Sequence, residues 1–368
     1  MEIKKELEGT FKNKKVLITG HTGFKGSWLS VWLHELGAKV IGISLDPKTD
    51  RDNFVITNLK DKIIDIRGDI RYEKKLMNIF SEFNPEIVFH LAAQPLVSES
   101  YKYPALTFET NVIGTVNILD CCRLSESVRT IIVITSDKCY ENQQWPYGYR
   151  ENDRLGGFDP YSASKACSEL VSNSYRQSFF YFQSLNKNKR SLSTVRAGNV
   201  IGGGDWSKDR IIPDCIKAIE SENPLVLKNP GFIRPWQFVL DPLIGYLLLA
   251  TKMEKNLNDF SGAWNFGPYP FEFVTVKKLA EMIIKHYGKG SIKRSEEQNL
   301  IHETGLLTLD INKSIFYLGW KPTLNINEVV ALTVDWYKVY NKEINMYDFC
   351  ASQISGFMKI YDLRNADN

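Results

Sequence analysis

A glycine-rich turn between an apolar strand and a helix constrains the fold of this chain more than any other feature. The run KVLIT at 15–19 predicts a buried strand, and apolar residues recur at helical spacing over 28–36. Glycines between them let the backbone approach a pyrophosphate, while the helix N-terminus supplies amide donors and a positive dipole end. The residues of the predicted dinucleotide site are Gly20, His21, Gly23, Phe24, Lys25 and Gly26, with Lys25 close to the pyrophosphate.

The residues of this turn and those after the second strand indicate which nucleotide binds. A nucleoside-triphosphate loop would end in Gly-Lys-Ser or Gly-Lys-Thr, whereas this chain has Lys-Gly-Ser at 25–27. Asp46 follows the second strand, where a carboxylate accepts hydrogen bonds from the adenosine ribose and repels a 2′-phosphate. NAD is therefore the predicted cofactor. Lys48 and Arg51 keep NADP open, and Asp46 could simply start an Asp-Pro turn.

Strands and helices alternate along the N-terminal half of the chain. Helical candidates at 74–83 and 108–124 separate apolar strand candidates, which are 40–44, 63–70, 87–91 and 130–135. Near-continuous apolar strands between helices predict an α/β fold with a doubly wound parallel sheet of the Rossmann type.

Beyond residue 198 the pattern breaks into Gly/Pro-rich pieces and short helices, which predicts a smaller, mostly helical C-terminal substrate lobe. The predicted domains are 1–198 for NAD binding, 199–350 mainly for the substrate, and a tail at 351–368. Strands at about 237–243 and 261–268 are expected to return to the first domain.

Charge and composition exclude several classes of partner. The chain carries 46 Lys and Arg against 43 Asp and Glu without a basic stripe, so nucleic acid is not a predicted partner. The charged start lacks the apolar core of a signal peptide, and no stretch approaches roughly 18 apolar residues, so we expect a cytoplasmic protein without a membrane partner. Six cysteines without a C-x-x-C pair and five unclustered histidines predict reduced thiols and no metal site.

Tyr161 and Lys165 lie four residues apart, hence on one face of a helix. The lysine cation can lower the pKa of the phenol and hold a ribose, and a tyrosinate near neutrality can take a proton from an alcohol. A Tyr-x-x-x-Lys pair alone is common by chance and would then be an ordinary surface pair. Here it follows the glycine turn and the strand TIIVITS at 130–136, which favours a catalytic pair.

The G-x-x-G-x-x-G spacing and the segment FHLAAQ at 89–94 resemble the extended, nucleotide-sugar branch of the short-chain dehydrogenase/reductase superfamily. In that family's pattern Ser136 completes the catalytic triad and Asn111 joins the proton relay. Ser136 could instead be a cap, and Asn111 a buried, satisfied amide. Further residues that the resemblance places at the cofactor are Asp69 and Ile70 beside the adenine, and Leu91, Ala92 and Ala93 along the channel.

Asp137 and Lys138 directly follow Ser136. Simple epimerases of the family need no acid and base there, but elimination of water across C5 and C6 of a hexose needs both. The dTDP-glucose dehydratases have Asp-Glu at this place, whereas Asp-Lys and the segment at 155–166 are similar to the branch that acts on CDP-glucose. This implies Lys138 as base if its pKa is depressed, and Asp137 as acid if its pKa is raised. A surface ion pair is the alternative.

The resemblance therefore implies a cycle on CDP-glucose. Tyr161 removes the C4 hydroxyl proton as hydride passes to NAD, water leaves across C5 and C6, and the hydride returns to C6. The product would be CDP-4-dehydro-6-deoxy-D-glucose, a precursor of deoxysugars such as those of lipopolysaccharide O-antigen.

Segments after residue 194 resemble the family's diphosphate and nucleoside-binding region. An arginine can pair bidentately with phosphate oxygens, so Arg234 and then Arg210 are the predicted phosphate ligands; lobe-to-lobe salt bridges are the alternative. Phe238 departs from a histidine that is frequent in this branch. The complete set of predicted substrate contacts is Gln94, Ser136, Asn199, Arg210 and Arg234.

Other functions share parts of this pattern. A nucleotide-sugar 4-epimerase, or a dehydratase for another nucleotide-glucose, would keep the glycine turn, Ser136, Tyr161 and Lys165; Asp137-Lys138 argues against the epimerase. A cofactor-sensing regulatory protein would be expected to have lost the tyrosine or its lysine. The helices around Asn111 and Lys165 resemble the pair that forms a dimer interface in the family, which predicts a homodimer.

Overall fold

The computed structural model describes residues 2–180, 190–257, 259–269, 274–294 and 306–365. Its centre is a seven-stranded, wholly parallel sheet with strand order β11-β6-β5-β4-β1-β2-β3. The order reverses between β1 and β4, and in such sheets the crevice at that point, beyond the carboxyl ends of the strands, binds ligands. The strands of this sheet are β1 Lys15–Thr19, β2 Lys39–Ser44, β3 Ile64–Arg67, β4 Ile87–His90, β5 Thr130–Ile134, β6 Ser191–Ala197 and β11 Gly262–Phe266.

The other strands of the described residues form three small two-stranded sheets. They are β7 Val200–Ile201 with β10 Gln237–Phe238, β9 Ile233–Arg234 with β12 Val274–Thr275, and β8 Leu225–Leu227 with β13 Ile292–Arg294.

Helices cover both faces of the large sheet, and two separate buried apolar clusters fill the space between them. The helices are α1 Glu2–Phe11, α2 Phe24–Glu35, α3 Asn53–Ile56, α4 Glu73–Phe83, α5 Val97–Lys102, α6 Pro104–Phe108, α7 Gly114–Leu124, α8 Pro160–Tyr175, α9 Ile211–Glu220, α10 Leu240–Lys255, α11 Val276–Tyr287, α12 Ile326–Val339 and α13 Met346–Asn365. A π-helical turn at Glu109–Ile113 interrupts the long helix expected at 108–124. The α/β doubly wound prediction is confirmed, and no helix among the described residues has the length and apolarity needed to cross a bilayer.

The expected strand at 237–243 is wrong. Gln237–Phe238 pairs with β7 outside the large sheet, and from Leu240 the chain continues as the 16-residue helix α10. All but three of the residues of α10 are buried. A helix that is enclosed on nearly all sides is apolar all round, so its sequence shows no helical periodicity and resembles a buried strand. The segment at 261–268 does return, since Gly262–Phe266 pairs in parallel with β6 at the sheet edge.

The segment expected as a tail, 351–368, is mostly helix as far as Asn365. Four residues of α13 recur at helical spacing and are buried, namely Ile354, Phe357, Met358 and Tyr361. The ring of Phe357 meets Trp32 of α2 edge-on at 6.0 Å, so this helix covers one face of the sheet layer. The charged lead-in is likewise the helix α1, with Ile3, Leu7 and Phe11 buried. The proposed boundary at residue 198 stays a prediction.

Candidate active site

The carboxyl edge of the large sheet brings most of the predicted site residues together. The glycine turn follows β1, the segment at 91–94 follows β4, Ser136 follows β5, and Asn199 follows β6. A cavity of about 1030 Å³ opens over this edge. Its lining includes Lys25, Leu91, Ala93, Ser136, Asp137, Lys138, Tyr161, Lys165, Asn199, Arg210 and Arg234.

The turn after β1 leaves no room for a Cβ at Gly20 or Gly26. Gly20 has a φ of +76°, and a Cβ on Gly26 would lie 2.1 Å from the carbonyl oxygen of Gly20. A Cβ on Gly20 would meet the backbone nitrogen of Ala92 at 2.8 Å. Gly23 precedes α2 and provides no side-chain cap, which leaves the amides of the first helical turn available to an anion. The turn therefore fits the pyrophosphate of a dinucleotide.

Lys25 carries a cation into the cavity from this turn. Burial, together with Arg210 and Lys165, lowers the pKa of Lys25 to about 7, while Asp137 opposes the shift. Its ammonium makes no hydrogen bond or ion pair with the described part of the chain. The neighbours put Lys25 between the glycine turn and the catalytic side chains, and its contact with pyrophosphate stays a prediction.

His21 points away from the cavity. Its imidazole is fully buried, its Nε2 lies 2.7 Å from Oδ1 of Asp65, and a Cβ on Gly42 would overlap the ring at 2.3 Å. Burial lowers the pKa of His21, although Asp65 opposes that shift. The ring thus acts beneath the turn as a spacer between β1 and β2.

The carboxylate of Asp46 is largely exposed and lies 3.2 Å from Nε of Arg67. Sequence reasoning missed this arginine because it lies on β3, and only the sheet brings it beside Asp46. Arg51, weighed above as a 2′-phosphate ligand, instead pairs with Glu220 at 3.0 Å and stacks over Trp206 at 4.0 Å.

Two other predicted cofactor residues are held by local contacts. The carboxylate of Asp69 binds the guanidinium of Arg71 at 2.7 Å and accepts from the backbone N–H of the same residue. The N–H of Ala92 donates to Oγ1 of Thr19 at 3.0 Å, which fixes the chain after β4 against β1. Ile70 is buried in the core.

The helix that carries Tyr161 and Lys165 begins with a side-chain N-cap, Asp159. Asp159 accepts from the backbone N–H of Ser162 at 3.0 Å and from its hydroxyl at 2.6 Å, and Pro160 occupies the first helical turn. Tyr161 and Lys165 are both buried at the cavity wall. The Lys165 ammonium donates to the carbonyl oxygen of Ile134 at 3.2 Å.

The expected tyrosinate does not arise from the spacing alone. Burial raises the pKa of Tyr161 to about 12, and the neighbouring hydroxyl of Ser136 opposes the shift. Burial lowers the pKa of Lys165 to about 8, while Glu169 opposes that shift. Because burial raises its pKa, the phenol stays protonated at neutral pH until a positive charge comes close to it.

Ser136, Asp137 and Lys138 form a compact turn after β5. The hydroxyl of Ser136 donates to Oδ1 of Asp137 at 2.9 Å and accepts from the backbone N–H of Lys138 at 3.2 Å. Asp137 is buried and burial raises its pKa, with Lys138 opposing the shift. Lys138 is half-buried. A carboxyl that is protonated more readily than usual thus adjoins a lysine in the same cavity, which provides one acid and one amine for proton transfer.

The side-chain amide of Asn111 binds the backbone of Gln94. Its Oδ1 accepts from the N–H of Gln94 at 2.7 Å, and its Nδ2 donates to the carbonyl of Gln94 and to Oγ of Ser164 at 2.8 Å. Gln94 itself does not line the cavity, and its side chain bonds the backbone of Leu96 and the hydroxyl of Thr107. The amide of Asn111 is therefore buried and satisfied, and its part in a proton relay stays a prediction.

The predicted substrate arginines line the same cavity as the catalytic turn. Arg210 pairs with Asp205 at 3.1 Å, and Arg234 lies over the ring of Phe232 at 5.1 Å. Both line the cavity, so both remain candidates for a diphosphate. Phe238 is fully buried and does not line the cavity, so its departure from histidine affects the core and not the lining.

A buried ion pair beneath the site has no counterpart in the sequence predictions. Arg196 on β6 and Glu169 on α8 are each only 3% exposed and contact each other at 2.7 Å and 2.9 Å. Glu169 also accepts from Thr135 at 2.5 Å and from Thr194 at 2.7 Å. Glu169 lies one turn after Lys165, and that position could have marked it as a second charge on the same helix face.

Comparison with known proteins places these observations among dehydratases and epimerases of nucleotide sugars. The family model described as GDP-mannose 4,6 dehydratase matches residues 17–333. The chain is 44% identical to the CDP-glucose 4,6-dehydratase of Salmonella typhimurium, over 95% of this chain and 97% of that protein.

Solved structures resemble the chain in fold. The dTDP-glucose 4,6-dehydratase of Bacillus anthracis in complex with NAD has a TM-score of 0.71 at 20% identity, covering 88% of this chain and 96% of that one. The UDP-glucose 4-epimerase of Thermus thermophilus in complex with NAD has a TM-score of 0.75 at 23% identity, covering 88% and 99%.

Proposed function

Because this chain belongs to the GDP-mannose 4,6-dehydratase family, we propose that it converts CDP-D-glucose to CDP-4-dehydro-6-deoxy-D-glucose and water with NAD as cofactor. The observation that carries the proposal is the pair Asp137 and Lys138 in one cavity with Tyr161 and Lys165. The identity of 44% to a CDP-glucose 4,6-dehydratase, along almost its whole length, supports the same substrate.

The residues suited to hold NAD are those of the glycine turn and the chain after β4. The tight approach of Gly20 and Gly26, and the uncapped start of α2, fit its pyrophosphate. When bound, NAD supplies a positively charged acceptor that takes hydride from C4 of the glucose and later returns it to C6.

The side chains of the cavity then move protons. Tyr161 accepts the proton of the C4 hydroxyl, and Ser136 orients that hydroxyl. The C4 ketone makes the C5 proton acidic, and Lys138 removes it. Lys138 later delivers a proton to C5 when C6 receives the hydride, which gives the saturated 6-deoxy sugar. Asp137, whose pKa burial raises, delivers a proton to the C6 hydroxyl as it leaves as water.

The proposal is tested by mass spectrometry of the nucleotide sugar after incubation with purified protein and NAD. Loss of one water from CDP-glucose, with UDP-glucose and dTDP-glucose turned over much more slowly, is expected. A product of unchanged mass would indicate C4 epimerisation, and equal turnover of UDP-glucose would remove the cytidine assignment.

We further propose that two copies associate through the helices next to the active site. Large apolar side chains are exposed on α5, α6, the π-turn and α8, namely Tyr101, Tyr103, Leu106, Phe108, Ile113 and Leu170. An exposed apolar face of this extent is typical of a subunit interface. A cytoplasmic location and a role in O-antigen biosynthesis stay predictions.

The variant Leu170→Glu is expected to shift the protein from dimer to monomer, because a charge at an apolar interface loses its hydration. Light scattering after size-exclusion chromatography measures the mass directly. Leu363→Glu on α13, where the leucine is 77% exposed, is the matched control and should leave the dimer intact. A monomeric native protein, or a dimer that survives Leu170→Glu, would contradict this interface.

A further inference from the structure

The active-site cavity extends well beyond the catalytic side chains. Its far wall is formed by β8 with the residues after it, and by the first turns of α9. Leu225 and Leu227 turn into the core on either side of the exposed Val226, and Phe232 closes the wall toward Arg234. The apolar side chains of this wall line the same cavity as Arg210 and Arg234, so they suit the planar base of a nucleotide whose phosphates meet those arginines.

This wall also carries polar side chains, namely Lys228, Asn229 and one carboxylate. Asp214 on α9 lines the cavity and is half-buried. Its side chain makes no hydrogen bond or ion pair with any part of the chain that the structure describes. The two nearby aspartates differ in this respect, because Asp205 pairs with Arg210 at 3.1 Å and Asp209 accepts from Ser98 at 2.8 Å.

The charge of Asp214 limits what it can bind. Burial raises its pKa, and Asp209 and Asp205 add to that shift against Lys217 and Lys228. A carboxylate repels phosphate and accepts hydrogen bonds without donating any when ionised. Its ligand is therefore a hydrogen-bond donor without negative charge. Among the pyrimidines, cytosine offers an exocyclic amine at this edge, whereas uracil and thymine present a carbonyl oxygen, and acidic side chains pair with that amine.

We propose that Asp214 determines the base specificity of this site by accepting a hydrogen bond from the exocyclic amine of cytosine. The inference rests on the proposed function, since it takes the ligand of the cavity to be a nucleoside diphosphate sugar. A uracil or thymine carbonyl in the same place faces the carboxylate oxygen to oxygen and leaves both acceptors without a donor.

The test compares Asp214→Asn with the native protein. Asparagine has the same shape but offers both an acceptor and a donor, so it can face the carbonyl of uracil as well as the amine of cytosine. The ratio of kcat/KM for CDP-glucose to that for UDP-glucose is expected to fall roughly tenfold to a hundredfold. The change should appear in KM more than in kcat, because the base is remote from the reacting carbons. Asp209→Asn is the matched control, and its ratio should stay that of the native protein.

Titration calorimetry with CDP and UDP reads the same preference without turnover, which separates this inference from the proposed function. If the native protein prefers CDP and Asp214→Asn loses the preference, the inference holds even for a protein that does not dehydrate CDP-glucose. An unchanged CDP-to-UDP ratio in Asp214→Asn, or a native protein that binds both equally, would overturn it. If the native protein dehydrates CDP-glucose and UDP-glucose equally well, the proposed reaction stands and the role of Asp214 in base specificity is wrong.

Discussion

Replacing Tyr161 with phenylalanine is expected to lower kcat for CDP-glucose by about 10²–10⁴-fold, the usual contribution of a positioned acid or base. The phenol lies in the cavity on the Lys165 face of α8, beside the hydroxyl of Ser136. Phenylalanine fills the same space, so the fold and the binding of substrate should change little. Steady-state kinetics with CDP-glucose and excess NAD measure kcat and KM separately.

Tyr246→Phe is the matched control for this prediction. Tyr246 is also fully buried, but its hydroxyl has no hydrogen-bond partner in the described structure and does not line the cavity. Its loss should leave kcat unchanged. Retention of more than a tenth of native kcat by Tyr161→Phe would assign the C4 proton to another group.

Glu169→Ala is expected to lower the free energy of unfolding by about 3–5 kcal/mol, because it leaves the buried Arg196 guanidinium without its counter-charge. The hydroxyls of Thr135 and Thr194 lose their acceptor in the same variant. Urea unfolding followed by circular dichroism measures the difference.

Glu328→Ala is the control, because it breaks an ion pair at the surface and not in the core. Glu328 pairs with Arg364 at 2.6 Å, but both side chains are at least a third exposed, and such pairs contribute about 0–1 kcal/mol. If both variants lost the same small amount, the Glu169–Arg196 pair would not be a major stabilising contact beneath the active site.

The parts of the fold that follow from local pattern were predictable. Strands β1, β2, β4 and β5 are short, mainly apolar runs, and Gly20 and Gly26 are required by backbone contacts that leave no room for a Cβ. The family and the NAD cofactor followed from the order of these motifs. The terminal helices were missed although Leu7 and Phe11, for example, already have helical spacing, because polar residues around them lower the mean hydropathy.

What depends on packing could not be read from the chain. The spacing of Tyr161 and Lys165 places them on one helix face, but the burial that shifts the pKa of both side chains arises only when the chain packs. Likewise Asp46 meets Arg67, and Asp214 faces an apolar wall, only because separate elements fold together. Such contacts join residues that are far apart in the sequence, so they cannot be predicted from spacing or from charge.

The most direct test of the account is to incubate the protein and NAD with CDP-glucose in deuterated water and to examine the product by NMR. Lys138 removes the C5 proton, its amine exchanges protons with the solvent, and C5 is then protonated again, which predicts a CDP-4-dehydro-6-deoxyglucose that carries solvent deuterium at C5. A C4 epimer, or a dehydrated product that retains the original proton at C5 throughout, would contradict the proposed elimination.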